Sequence, residues 1–328
     1  MHKTKEVIDM EIEGVKKVGI FGAGTMGPGL AQVFAAGGLE TGLYTRKKET
    51  LERALPVIET NLNTFARRGL LEPGSIKDIM SRIKPTRELE EAASNAGLVV
   101  ETIVEDLAAK KELYAKLDEI CPARTIFTSN TSYLNVFQVL PAKRQKNSAI
   151  AHWFAPPHVV PLVEVVRGPE TSDETVKFLV EFLKRLDKVP VVLQRFVPGF
   201  VINRLLRIIG REVFFLLDNG YITPEELDMA VKASIIPRAM VLGFVQRYDF
   251  TGLDLSARNL QNQDFLEAPV DNRPKSLFER VERGELGVKS GKGFYDYRGR
   301  KLEDILRERD NALLDVFKLT KDLIYKHI

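Results

Sequence analysis

The run Gly22-Ala-Gly24-Thr25-Met26-Gly27 constrains this chain more than any other stretch. Before it stands Val18 to Phe21, a short apolar run with β-branched residues that suits a buried parallel strand. After it, apolar side chains recur at helical spacing. A strand, a glycine turn and a helix in that order open a dinucleotide-binding unit. Gly22 makes the tight turn, Gly24 lets the backbone approach a pyrophosphate, and Gly27 lets the helix pack on the strand. Thr25 and Met26 line the turn, and the pyrophosphate sits on the helix N-terminus, where free N–H groups and the dipole favour an anion.

The second strand, Glu40 to Tyr44, decides which nucleotide is read. An acidic residue about 20 residues beyond the glycines accepts hydrogen bonds from the ribose of NAD. Here Thr45-Arg46-Lys47-Lys48 occupies that place instead. An arginine fork beside a hydroxyl suits a 2′-phosphate, which favours NADP over NAD; the alternative is a basic helix start facing solvent.

Strand and helix patterns then alternate. Residues 49–82 read as helix with a break at Gly69 and Glu72-Pro73-Gly74, and a strand near Ile83 and an acidic helix, Glu88 to Ala93, follow. Leu98 to Ile103 reads as a strand running into Glu105 and Asp106, followed by a helix, Ala108 to Ile120, a strand, Thr125 to Thr128, and the loop Ser129-Asn-Thr-Ser132. The chemistry is expected in residues 149–166, where a strand ends at His152 and a second strand, across a proline-stiffened loop, carries Glu164. A carboxylate beside a histidine fixes the imidazole tautomer and raises its basicity. His158, after two prolines, is the weaker candidate for the base.

After a last strand at Val189 to Leu193 the patterns are helical to the end. This predicts an N-terminal Rossmann-type, doubly wound, mostly parallel α/β domain over 1–195 and an all-α domain over 196–328. Pro198 reads as the first turn of a long apolar helix carrying the polar Asn203. The apolar helical faces after Pro198 are too numerous for one small core, which predicts a homodimer. A net charge of +3 in 328 residues implies no general affinity for nucleic acid or membrane, and no apolar run is long enough to span a bilayer. Residues 1–14 are charged and do not read as a signal peptide. The one cysteine, Cys121, fits a reducing compartment, so the expected location is the cytoplasm. No Cys/His cluster has metal-ligand spacing, and no metal is expected.

Together the motifs resemble the 3-hydroxyacyl-CoA dehydrogenase family over about residues 15–297. They are Gly22 to Gly27, Val100 to Asp106, Ser129 to Ser132, His152-Trp-Phe, Leu162 to Val166, Pro198 to Arg204 and Lys289 to Tyr295. The resemblance implies an oxidoreductase of fatty acid metabolism that moves a hydride between a 3-hydroxyacyl-CoA and a nicotinamide cofactor, and it favours NAD where Thr45-Arg46-Lys47 favours NADP. It implies His152 as the base, Glu164 as its orienting carboxylate, Ser132 and Asn203 near the substrate oxygen, and Glu105 and Lys110 lining the cofactor site. Three features differ from the family pattern: the missing acid at Thr45, Ala155 where the family has Asn, and the stretch from Ile236 to Asp254. His152-Trp153, Pro156-Pro157-His158 and Gly252-Leu253-Asp254 also resemble a branch of dehydrogenases acting on small carboxylated hydroxy compounds. A CoA-free hydroxy acid is therefore the alternative substrate, with Arg67, Arg68, Arg204, Arg207 and Arg238 as candidates for either anion. A non-catalytic dinucleotide-binding protein of this fold is the second alternative.

Overall fold

A computed structural model describes residues 14–326. Most of the charged N-terminal segment lies outside the described residues. The chain forms two compact units that divide between Arg204 and Leu205.

The first unit is built on one eight-stranded sheet in the order β3-β2-β1-β4-β5-β6-β7-β8. The strands are β1 (Lys17–Phe21), β2 (Glu40–Tyr44), β3 (Ile83–Thr86), β4 (Leu98–Glu101), β5 (Ile126–Ser129), β6 (Ser148–Trp153), β7 (Leu162–Arg167) and β8 (Val189–Leu193). All neighbours are parallel except β6 and β7, which run antiparallel. Successive side chains of a strand point to opposite faces, so each strand feeds two cores. Val18, Ile20, Val163 and Val165 join Leu30, Phe34 and Phe182 on one face. Phe21, Val99, Ile150 and Val166 join Tyr114, Phe127 and Phe200 on the other. Burial on both faces explains why these strands read as continuous apolar runs.

Helices α1 (Gly27–Ala36), α2 (Lys48–Arg67), α3 (Ile76–Arg82), α4 (Leu89–Ala93), α5 (Leu107–Ile120) and α6 (Asp173–Arg185) complete this unit. The strand order reverses between β1 and β4, which opens the crevice where such sheets bind ligands. β4 stops at Glu101, two residues short of the expected strand, because the Glu101 carboxylate takes the Ile103 N–H at 2.8 Å.

Helix α7 (Ile202–Asp218) starts later than its sequence pattern implies. Pro198 is not in its first turn. Gly199 (φ 78°) and Phe200 (φ 51°) form a left-handed turn first. A non-glycine residue there costs about 1 kcal/mol or more. The Phe200 ring is fully buried, and the Glu164 carboxylate accepts the Val201 and Ile202 N–H groups at 2.9 and 3.0 Å. The helix therefore begins where a carboxylate from β7 satisfies its free donors.

The second unit continues α7 and adds α8 (Pro224–Ala230), a π-helical turn (Val231–Ile235), α9 (Ile236–Thr251), α10 (Leu253–Leu260), α11 (Lys275–Glu282) and α12 (Leu302–Thr320). Thr223 and Glu226 form a reciprocal capping box at the start of α8. No helix among the described residues is long and apolar enough to cross a membrane.

Candidate active site

The glycine turn has the geometry its sequence demands. Gly22 has φ 122°, and a Cβ there would lie 2.3 Å from the Thr102 carbonyl oxygen. A Cβ on Gly27 would lie 2.2 Å from the Gly22 carbonyl oxygen, so the start of α1 packs on the turn only as glycine. Gly24 faces open space, with nothing within 4 Å of an added Cβ. No side chain caps α1, and its first turn carries no acid. Open space in front of uncapped N–H groups is what a pyrophosphate requires, so these residues fit a dinucleotide. The turn also touches β2 directly, because Gly22 N–H donates to the Tyr44 carbonyl at 2.9 Å.

His152 and Glu164 meet through strand register. In the antiparallel β6–β7 pair they lie directly opposite one another, which puts both side chains on one face. Nδ1 of His152 is 2.8 Å from Glu164 Oε2, with the histidine 4% and the glutamate 1% exposed. The other Glu164 oxygen is engaged by the two α7 amides, so the carboxylate is held at both ends. The imidazole sits between Phe154 and Phe200, with ring centroids at 4.6 and 5.2 Å. Its Nε2 lies 3.3 Å from Ser132 Oγ. With Nδ1–H donated to Glu164, Nε2 is left as the acceptor that a general base needs.

Ser132 is placed by a second carboxylate that spacing alone does not reveal. Glu105 accepts the Ser132 N–H, and both its oxygens accept from Thr131 Oγ1 at 3.0 and 2.8 Å. Beneath it Glu101 is fully buried. One Glu101 oxygen takes Lys110 Nζ at 2.6 Å, and the other takes the Tyr114 and Ser129 hydroxyls at 2.8 and 2.5 Å. Burial and the Glu101 charge push the Tyr114 hydroxyl well above its usual range. Lys110 also lies 3.5 Å from Glu105, and its ammonium is 1% exposed. It stands between the buried Glu101 and Glu105, whose side chain is part-exposed.

Asn203 lies in the first turn of α7, in a cluster around Gly199 with Tyr133 and Arg204. Thr45 and Arg46 emerge at the end of β2, half-buried and exposed respectively. His158 is packed away from His152: its ring is 5.9 Å from Phe65 in α2, and it borders Gly29 in α1. Arg67 donates to Thr64, Arg207 to Asn272, and Arg238 to Ser234. Cys121 is buried, and burial pushes its thiol up to about 11. Among the described residues no group of three or more His, Cys, Asp or Glu is arranged to hold a metal ion.

A glycine turn fitted to a dinucleotide and a buried His–carboxylate pair at the strand ends define a nicotinamide-dependent oxidoreductase. The chain belongs to the 3-hydroxyacyl-CoA dehydrogenase family: residues 17–196 match its NAD-binding domain and residues 199–297 its C-terminal domain. It is 31% identical over 312 residues to the 5-formyl-3-hydroxy-2-methylpyridine 4-carboxylate 5-dehydrogenase of Mesorhizobium japonicum, covering 93% of this chain and 98% of that one. It is 34% identical over 287 residues to a probable 3-hydroxybutyryl-CoA dehydrogenase of Bacillus subtilis, covering 86% and 98%. Among solved structures it superimposes on a 5-formyl-3-hydroxy-2-methylpyridine 4-carboxylic acid 5-dehydrogenase, described as an NAD+-dependent dismutase. The TM-score is 0.83 at 28% identity, with 94% of this chain and 99% of that chain covered.

Proposed function

We propose that this chain interconverts the C3 alcohol of a 3-hydroxyacyl-CoA, such as 3-hydroxybutyryl-CoA, and the corresponding ketone. The observation that carries this reading is the continuous chain of contacts from Glu164 through His152 to Ser132. In oxidation, His152 Nε2 takes the hydroxyl proton as general base. Glu164 stabilises the imidazolium that forms and holds the ring against rotation. Ser132 Oγ donates to the substrate oxygen, and the Asn203 amide supplies a second donor to it, so that the carbinol carbon is held in one orientation. In reduction, protonated His152 returns the proton to the ketone oxygen. A bound nicotinamide supplies the hydride acceptor or donor.

Gly22, Gly24, Thr25, Met26 and Gly27 hold the pyrophosphate, and Glu105 borders the same crevice at the end of β4. The cofactor preference we assign is NADP over NAD, supported by Thr45 and Arg46 at the ribose-reading position. Arg204, beside Asn203, is the basic residue placed to meet the substrate's anion. The functional form is a homodimer associating through the second unit, supported by exposed apolar residues such as Leu206, Ile208 and Phe250. A cytoplasmic setting goes with this reading and rests on the single cysteine.

A second reading has its own support. The pyridine carboxylate dehydrogenase covers 93% of the chain, against 86% for the hydroxybutyryl-CoA enzyme, and Ala155 removes a polar group from the loop after His152. This favours a CoA-free hydroxy or formyl carboxylate. The test is an absorbance assay of nicotinamide oxidation with acetoacetyl-CoA and with free oxo and formyl carboxylates, each with NADPH and NADH. Turnover of acetoacetyl-CoA with NADPH above NADH is expected. Turnover with free acids alone replaces the first reading by the second, and none with either overturns both.

A further inference from the structure

We infer that Arg87 completes, with Thr45 and Arg46, a cradle for the 2′-phosphate of the nucleotide's adenosine. The inference rests on the cofactor preference proposed above and names the residue that the spacing after the glycines does not reveal.

β2 and β3 are parallel and pair Tyr44 with Thr86, so the residues after them leave the sheet side by side. The Thr45 N–H donates to the Thr86 carbonyl at 3.3 Å, which carries the ladder one step past the strands. Beyond it, Arg87 Nε donates to the Arg46 carbonyl at 3.3 Å. This bond seats the Arg87 side chain across the end of β2 and leaves its Nη groups as donors. The same strand end is tied to the glycine turn by the bond from Gly22 to Tyr44, so the cluster stands beside the pyrophosphate position.

The charges around it are uneven. Arg46, Lys47 and Arg87 have no carboxylate within ion-pair distance among the described residues, whereas Lys48, next in the chain, pairs with Glu52. Two acids, Glu91 and Glu112, have partners of their own. Glu91 accepts from the Thr86 hydroxyl at 2.5 Å. Glu112 is held below the usual carboxylate range chiefly by Lys116, with Arg46 adding a weaker pull. Two arginines and a threonine that leave the sheet side by side at the ribose-reading edge supply guanidinium forks and a hydroxyl, the donors that suit the oxygens of a phosphate dianion. A 2′-hydroxyl offers no negative charge to hold them.

The test is calorimetric titration of the full chain, without substrate, using 2′,5′-ADP and 5′-ADP. The wild type is expected to bind 2′,5′-ADP roughly tenfold or more tightly than 5′-ADP. Arg87→Gln is expected to remove most of that advantage while leaving 5′-ADP affinity unchanged, and Arg87→Lys, which keeps the charge but not the fork, to retain part of it. A full advantage in Arg87→Gln overturns the role of Arg87 and leaves the NADP preference standing. Equal binding of the two nucleotides by the wild type overturns the preference itself and this inference with it. Neither outcome bears on His152, because no hydride moves in the experiment.

Discussion

Helices α1 and α7 are both rich in apolar residues, yet eight of the ten residues of α1 are buried and none of the seventeen of α7 is. The contrast extends to the two units. Phe21, Phe34, Ile58 and Leu62 of the first are each at most 1% exposed. In the second, Leu206 and Ile208 are 57% exposed and Val245 82%. A sheet covered on both faces gives each helix of the first unit a flat apolar floor. Among the described residues the second unit has no sheet, and its helices leave much apolar surface uncovered. The first unit thus buries its own apolar residues and holds the His152–Glu164 pair.

The sharpest way to probe that division is chemical. His152→Ala is expected to lower kcat by roughly 10³-fold while dinucleotide affinity, read by fluorescence titration, stays within about twofold. Activity within tenfold of wild type would remove the chemistry from the first unit. Next come matched substitutions in the two units. Phe34→Ala is expected to lower unfolding stability by about 4 kcal/mol in denaturant titrations, because it leaves a cavity against Trp153 and Phe182. Leu206→Glu is expected instead to shift sedimentation from dimer to monomer at micromolar concentration, leaving dinucleotide binding intact. A wild-type monomer would break the comparison outright.

A smaller effect concerns Lys188, buried under the loop that joins β6 to β7. Its ammonium donates to the Pro157 and Val160 carbonyls at 2.7 and 3.1 Å, and burial lowers its pKa to about 8. Below that pH it is charged in both folded and unfolded chains. Between about 8 and the unfolded value of 10.5 only the unfolded chain retains the proton, so this lysine's contribution to stability rises with pH. The stability difference between wild type and Lys188→Met should therefore grow in favour of wild type, by up to about 3 kcal/mol across that window. A difference that is flat with pH would show that the ammonium is not desolvated.

Much of the fold was legible because its signals are local. β2, β8 and the break after α2 follow from apolar runs and from glycine and proline placement, which act over a few residues. The start of α7 was not legible. Pro198 is a sound local signal for a helix start, but the Glu164 carboxylate, 37 residues earlier in sequence, supplies the helix N-terminus with an acceptor at Val201 and Ile202. Lys110 was singled out only by the family resemblance, and no pattern in the residues around it foretold that its ammonium lies between Glu101 and Glu105.

By itself the sequence determined the order of strands and helices, the glycine turn and the residue types of the candidate site. These depend on backbone conformation and on patterns with periods of two and 3.6 residues. Only the tertiary structure decided who touches whom. The antiparallel register of β6 and β7 sets His152 opposite Glu164, and a shift of one residue would have turned the carboxylate to the other face of the sheet. The parallel pairing of β2 with β3 brings Arg87 to Arg46 across 41 residues of chain. Contacts of that separation are chosen by the packing of the whole sheet, which no local pattern encodes.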